Sequence, residues 1–220
     1  MTGTEDASTE NGSGLTAFQL EVARMFFEMP ASAGFLLAGG AALLAHRLTD
    51  RPTYDLDFFT APRRGDVPAA RDELETAIRG QGWRVDRIQD TATFCRLIIR
   101  SGTEELLVDL AVDSPPGHPG AITIAGPTFE AAELAGRKVI ALFDRAEARD
   151  FVDVYLLARH FSKETLLARA AEIDTGFTTR IFADMLATLA RFRDSDLPIS
   201  DEQIVALRTF FADWRTALSS

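Results

Sequence analysis

The spacing of apolar residues changes along this chain, and those changes bound what it can fold into. Leu15, Phe18, Val22 and Phe26 recur at helical spacing, so a helix is expected over 15–29, stopped by Pro30. A short apolar run at 35–38 leads into Gly39-Gly40. A helix at 41–47, a short aromatic-rich strand at 55–59, a turn at 62–66 and a helix at 67–79 ending at Gly80 follow. Then the period becomes two. Residues 83–88 alternate, 94–100 and 106–112 are further strand-like runs, and Ser101-Gly102-Thr103 supplies a hairpin turn between the last two. A short edge strand at 122–125 is expected before Gly126-Pro127. From Thr128 onward the spacing is helical again, over 128–145, 147–161, 163–173, 177–193 and 201–218. The last of these carries Ile204, Leu207, Phe211, Trp214 and Leu218 on one stripe, which needs a packing partner.

The fold class is therefore mixed α/β (α+β): a front half built on a mixed sheet and an all-helical back half. The expected division is a disordered tail at 1–14, a core domain at 15–126 and a helical domain at 127–220.

Composition narrows the setting. The single cysteine, Cys95, has no internal disulfide partner and reads as a small buried strand residue, which suits a reducing cytoplasm. The first residues are acidic and polar, unlike a secretory signal, and the longest apolar stretch (35–45) contains glycines and is too short for a bilayer. A soluble cytoplasmic protein without membrane contact is expected. The net charge of −10 argues against nucleic-acid binding driven by phosphate neutralisation alone. A local bias remains, since Arg63, Arg64, Arg71, Arg79, Arg84, Arg87, Arg96 and Arg100 crowd residues 60–100. Lysine occurs only at Lys138 and Lys163, against arginine elsewhere, which hints at a need for a compact ammonium.

The chemistry concentrates in GGAALLAHRLTDRPTYDLDFF, residues 39–59. Side chains alternate along a strand, so Asp55 and Asp57 share a face, roughly 6–7 Å apart, with Leu56 and Phe58 turned to the core. Carboxylates that close repel, and a hard divalent cation relieves them. The run LLVDLAV adds Asp109 on the face opposite Leu106, Val108 and Leu110, an expensive place for an unpaired carboxylate. If these strands are neighbours, three carboxylates converge and can hold two magnesium ions on a nucleoside triphosphate. Gly39 and Gly40 let backbone N–H groups approach phosphates closely. Taken singly, a DxD is commonly a surface turn and a glycine pair is weaker still; their order in this chain carries the reading. The histidines at 46, 118 and 160 lack metal-ligand spacing, and His46 reads as a surface residue of its helix.

That stretch resembles the GG-[ST]-AL…R-x-[ST]-x-DLDFF opening of nucleotidyltransferase toxins of the AbiEii/AbiGii type, a branch of the DNA polymerase beta-like nucleotidyltransferase superfamily. Downstream, KVIALFDRAEARDFVDVY, from Lys138 to Tyr155, is similar to the family's K-x-x-A-L…R-x-x-x-R-D-x-x-D-x-Y segment. Ala41 departs from the family's usual Ser or Thr, while Thr53 fills the hydroxyl position before the DLD. The resemblance implies a polymerase beta-like domain followed by helices. It also implies a magnesium-dependent toxin of a toxin–antitoxin pair, moving a nucleoside monophosphate from an NTP to an acceptor. The tRNA 3′ end is the expected acceptor, with a block of translation as the consequence, and a cognate antitoxin is the expected protein partner.

Within it, Asp55, Asp57 and Asp109 are expected to bind metal, with Asp109 also serving as base. Gly39, Gly40, Thr53 and Lys138 are expected to bind nucleotide. Asp150 and Asp153 share a helix face: Asp153 orients Lys138 or the acceptor hydroxyl and Asp150 pairs with an arginine, or both are plain helix ion-pair partners. Arg47 and Arg51 either grip phosphate or acceptor RNA, or form a solvated face, and Asp150 is a further candidate for an acceptor or phosphate contact. Two alternatives stand beside the toxin: a small-molecule nucleotidyltransferase of the aminoglycoside-modifying sort, and a catalytically silent nucleotide- or partner-binding module.

Overall fold

The computed structural model describes residues 14–219, so the tail expected at 1–14 lies, apart from Gly14, outside the described residues. The chain divides between Phe129 and Glu130 into two compact units.

The first unit opens with α1 (Ala17–Glu28). The Thr16 hydroxyl accepts from the Gln19 N–H while the Gln19 side chain accepts from the Thr16 N–H, a reciprocal cap that starts the helix. Its buried face, Phe18, Val22 and Phe26, lies on a seven-stranded mixed sheet of order β3-β4-β5-β2-β1-β7-β6. In chain order the strands are β1 (Phe35–Ala38), β2 (Asp55–Thr60), β3 (Arg84–Asp90), β4 (Phe94–Ser101), β5 (Glu104–Val112), β6 (Ala121–Thr123) and β7 (Gly126–Thr128). The β2–β5 and β1–β7 pairs are parallel and the rest antiparallel.

Aromatic packing fixes which way β2 faces. Phe26 stacks on Phe58 with ring centroids 4.0 Å apart and meets Phe35 edge-on at 5.5 Å. Leu56 and Phe58 are fully buried, at about 1.5–3 kcal/mol for each such side chain. A one-residue slip would expose both and bury Asp55 and Asp57 instead, so register is strongly set. Helix α3 (Val67–Gly80) covers β3, β4 and β5 with Ala70, Leu74 and Ile78. Its buried Glu75 accepts from Arg79 and Arg87. Between β1 and β2 lies α2 (Gly39–Ala45).

The helical run expected from Thr128 is corrected: Thr128 belongs to β7 and pairs with Leu37 of β1. Pro127 cannot donate to a helix, and Thr128, β-branched and fully buried, suits a pleat. The edge strand expected at 122–125 is a small hairpin, β6 and β7, closed by Gly126 at φ +104°.

The second unit contains α4 (Ala131–Asp144), α5 (Ala148–Leu157), α6 (Lys163–Ile173), α7 (Thr179–Leu186) and α8 (Asp201–Leu218). The helix expected over 177–193 gives way at its C-terminal end to a 3-10 turn, Ala187–Arg191. The stripe of α8 is buried from Ile204 to Trp214, with Leu218 half-buried: Phe211 packs edge-on against Phe151 of α5 at 5.1 Å, and Trp214 against Phe182 of α7 at 5.3 Å. Helices α4 and α6 touch backbone to backbone at Gly136, where a Cβ would lie 2.6 Å from the Arg169 Cβ and 2.9 Å from its carbonyl carbon. Gly136→Leu is therefore expected to destabilise the protein by about 2–3 kcal/mol, overpacking outweighing a helix-propensity gain of about 1. A urea-unfolding midpoint equal to that of wild type would contradict this contact. No helix of the described residues is long and apolar enough to cross a membrane.

Candidate active site

The sheet face opposite α1 carries a row of charged side chains. Register pairs Arg96 of β4 with Asp109 of β5, Asp109 with Asp57 of β2, and Asp57 with Ala38 of β1. Neighbouring strands lie about 4.8 Å apart, so Asp57 and Asp109 stand side by side, with Asp55 two residues along the same face of β2. Asp109 is buried, and both its oxygens accept from Arg96: Nε donates to Oδ1 at 2.8 Å and Nη2 to Oδ2 at 2.6 Å. The hydrogen bond to Asp109 raises the Arg96 pKa above its ordinary value against the opposing effect of burial, and the charges of Asp109, Asp57 and Asp55 add to it. Thr53, just ahead of β2, donates from Oγ1 to Asp55 Oδ1 at 2.5 Å.

The glycine pair is shaped by these same residues. Gly39 takes φ +62°, and a Cβ there would lie 1.7 Å from Asp57 Oδ2. At Gly40 a Cβ would lie 2.6 Å from the Thr53 hydroxyl and 3.5 Å from the Arg51 guanidinium. The space the two missing side chains leave is thus taken by the carboxylate, the hydroxyl and the arginine of the candidate site. Ala38, which caps α2, makes no side-chain bond to the first-turn N–H groups. Helix α2 is short, so what it offers an anion is individual N–H groups more than a macrodipole. Arg51 stands beside Gly40, whereas Arg47, exposed at φ +58°, follows the opposite end of α2.

In the second unit the Lys138 Nζ of α4 lies 2.8 Å from Asp153 Oδ2 of α5, with Asp153 fully buried. Asp150, also buried, accepts two bonds at 2.9 Å from Arg145 and one from the Glu147 N–H, which ties down the start of α5. Removing the ammonium takes an ion-pair partner at 2.8 Å away from a fully buried carboxylate. Lys138→Met is therefore expected to cost about 3 kcal/mol of stability, and Lys138→Arg, which keeps the charge, much less. Thermal midpoints of the two variants check this, and equal midpoints would contradict it.

The structure thus gathers Gly39, Gly40, Thr53, Asp55, Asp57 and Asp109 in the first unit, and pairs Lys138 with Asp153 in the second. Sequence reading missed Arg96 as the partner of Asp109, although the turn held the clue: Gly102-Thr103 between the paired Ser101 and Glu104 sets Arg96 opposite Asp109. It also missed Gln19, buried in α1, whose Nε2 donates to the Thr53 carbonyl at 2.9 Å. His46 is corrected from a surface residue to a half-buried one. Its Nε2 lies 2.7 Å from the Thr128 hydroxyl and 3.2 Å from the Phe129 carbonyl, tying the end of α2 to β7. The expected basic patch is largely spent on acidic partners, with Arg71 on Asp72 and Asp90, Arg79 and Arg87 on Glu75, and Arg100 on Asp86 and Glu105.

The donor chemistry fits a hard divalent cation. Asp55 and Asp57 offer carboxylate oxygen beside a backbone able to hold phosphate, and magnesium is commonly held by one or two carboxylates plus substrate phosphates. Among the described residues no three histidine, cysteine or acidic side chains form a group arranged to hold a metal by themselves.

A family described as "Nucleotidyl transferase AbiEii toxin, Type IV TA system" matches residues 23–220. Among solved structures, JHP933 from Helicobacter pylori is similar at 20% identity and TM-score 0.58, over 93% of this chain and 95% of that one. MenT4, a nucleotidyltransferase toxin from Mycobacterium tuberculosis, is similar at 16% identity and TM-score 0.60, over 90% of this chain and 82% of that one. At these identities the likeness to the two structures is one of fold. No curated protein matches the sequence.

Proposed function

We propose, from the premise that this chain belongs to the AbiEii family of nucleotidyltransferase toxins of type IV toxin–antitoxin systems, that its carboxylate row transfers a nucleoside monophosphate from an NTP to the 3′ end of tRNA. The observation that carries the reading is the placement of Asp55, Asp57 and Asp109 on one sheet face, with Gly39 brought against Asp57.

Asp55, Asp57 and Asp109, together with phosphate oxygens of the bound NTP, would hold two magnesium ions. When bound, these supply charge neutralisation to the triphosphate and lower the pKa of an attacking hydroxyl. The N–H groups of Gly39 and Gly40 hold phosphate oxygens, and Thr53 steadies Asp55 through its hydroxyl. Asp109 accepts the proton of the acceptor hydroxyl as its oxygen attacks the α-phosphorus and the bond to pyrophosphate breaks. Lys138, paired with Asp153 within the second unit, is the compact ammonium assigned to nucleotide binding. Arg51 adds a phosphate contact beside Gly40; Arg47 and Asp150 are less suited to one. Arg47 follows the far end of α2, and Asp150 is committed to Arg145 and the α5 cap.

Loading the tRNA 3′ end blocks aminoacylation and so translation in the cytoplasm, and the antitoxin partner relieves the block. The test compares intact tRNA with tRNA whose 3′-terminal ribose has been oxidised by periodate. Label from an α-labelled NTP should reach only the intact RNA, and a cell-free translation extract should stall on addition of enzyme and NTP. Equal labelling of both RNAs, or label on protein or on an aminoglycoside instead, would overturn the acceptor.

A further inference from the structure

We propose that Arg96 is the resident counter-cation of the carboxylate row: it holds Asp109 in the metal-free protein and competes with a divalent cation for it. The inference rests on the reading of Asp55, Asp57 and Asp109 as metal-binding carboxylates.

Three carboxylates on one patch of sheet repel one another, and burial makes each costlier. Arg96 is placed to relieve that. It meets Asp109 fork to fork at 2.8 and 2.6 Å, and its Cζ lies 5.6 Å from the centre of the Phe94 ring, so the guanidinium has two partners that favour this position. Exposure is divided unevenly between the two side chains, 40% for Arg96 and 9% for Asp109. The arginine is the partner able to withdraw into solvent, and the aspartate stays.

The consequence has a definite sign. A divalent cation taking up Asp109 either displaces a bidentate arginine or binds beside a fixed positive charge, and both weaken it. Removing the arginine's charge is therefore expected to tighten metal binding while loosening the metal-free fold. An arginine that merely orients Asp109 as a ligand, or merely props the sheet, predicts the opposite or no change.

The experiment titrates Mn2+ alone into the full chain, without nucleotide, and follows free Mn2+ by electron paramagnetic resonance. Arg96→Met should bind Mn2+ roughly tenfold tighter than wild type, and Arg96→Lys, which keeps the charge but loses the fork, should fall between them. In EDTA the thermal midpoint of Arg96→Met should lie below that of wild type, with the gap narrowing as Mn2+ is added. Binding by Arg96→Met that equals wild type or is weaker, with Asp57→Ala binding none, overturns the inference alone. Equal binding by wild type and Asp57→Ala overturns the metal-site reading beneath it. If Arg96→Met does not fold, Arg96→Gln replaces it. The wild type itself supplies a further check: the Arg96 Nε–H resonance, assigned by its loss in Arg96→Lys, should shift on saturation with Mg2+. A resonance that stays in place overturns the proposal.

Discussion

Asp57→Ala is expected to lower nucleotide transfer by roughly a thousandfold or more, the scale of losing a group that acts directly on the transferring phosphoryl. It is expected to leave the fold intact. Asp57 is half-exposed on the sheet face beside Asp109, so its truncation opens no core cavity. The apolar anchors of β2, Leu56 and Phe58, face away and are untouched. Rate constants from α-labelled NTP and a urea-unfolding midpoint together check this. A variant that loses both activity and stability would make Asp57 a structural residue.

Gly39→Ala should be nearly as damaging by a different route. The added Cβ would sit 1.7 Å from Asp57 Oδ2, far inside contact distance, at a φ of +62° that costs an alanine about 1–2 kcal/mol. The carboxylate must rotate away or the start of α2 must move, and either displaces Asp57 from the backbone proposed to hold phosphate. Transfer should fall at least a hundredfold, since a displacement of about 1 Å at a reacting group is that costly. The two effects separate in a double-mutant cycle. In an Asp57→Ala background the clash with the carboxylate is gone while the backbone strain remains, so Gly39→Ala should cost less stability there than in wild type. Equal costs in both backgrounds would show that Gly39 matters for its backbone conformation alone.

Much of this arrangement is local and periodic, and such features can be read from the chain. Asp55 and Asp57 alternate with Leu56 and Phe58 in a strand of period two, and Asp109 interrupts an apolar strand. Their common face follows from pleating once the strands are neighbours. The pairing of Lys138 with Asp153 is one of the three readings left open for Asp153, beside orienting the acceptor hydroxyl and a plain helix ion pair. What escaped reading depends on register or on distant contacts. Arg96 meets Asp109 because of where the hairpin turns, and as one arginine among many in residues 60–100 it bore no mark of its own. Gln19 reaches Thr53 from a helix well removed in sequence, and His46 reaches Thr128 across the sheet; no periodicity encodes either. Thr128 itself read as helical because helix follows it so closely, yet Pro127 and the demand of β1 for a parallel neighbour draw it into the sheet.

The measurement closest to the central claim follows both products of the reaction at once. Wild type and Asp57→Ala are incubated with magnesium, total tRNA and each α-labelled NTP in turn, and label on RNA is compared with pyrophosphate released. The account predicts that wild type moves label and releases pyrophosphate in equal amounts, and that Asp57→Ala does neither. Label transfer by Asp57→Ala at the wild-type rate, or NTP consumed with no nucleotide joined to any acceptor, would contradict it.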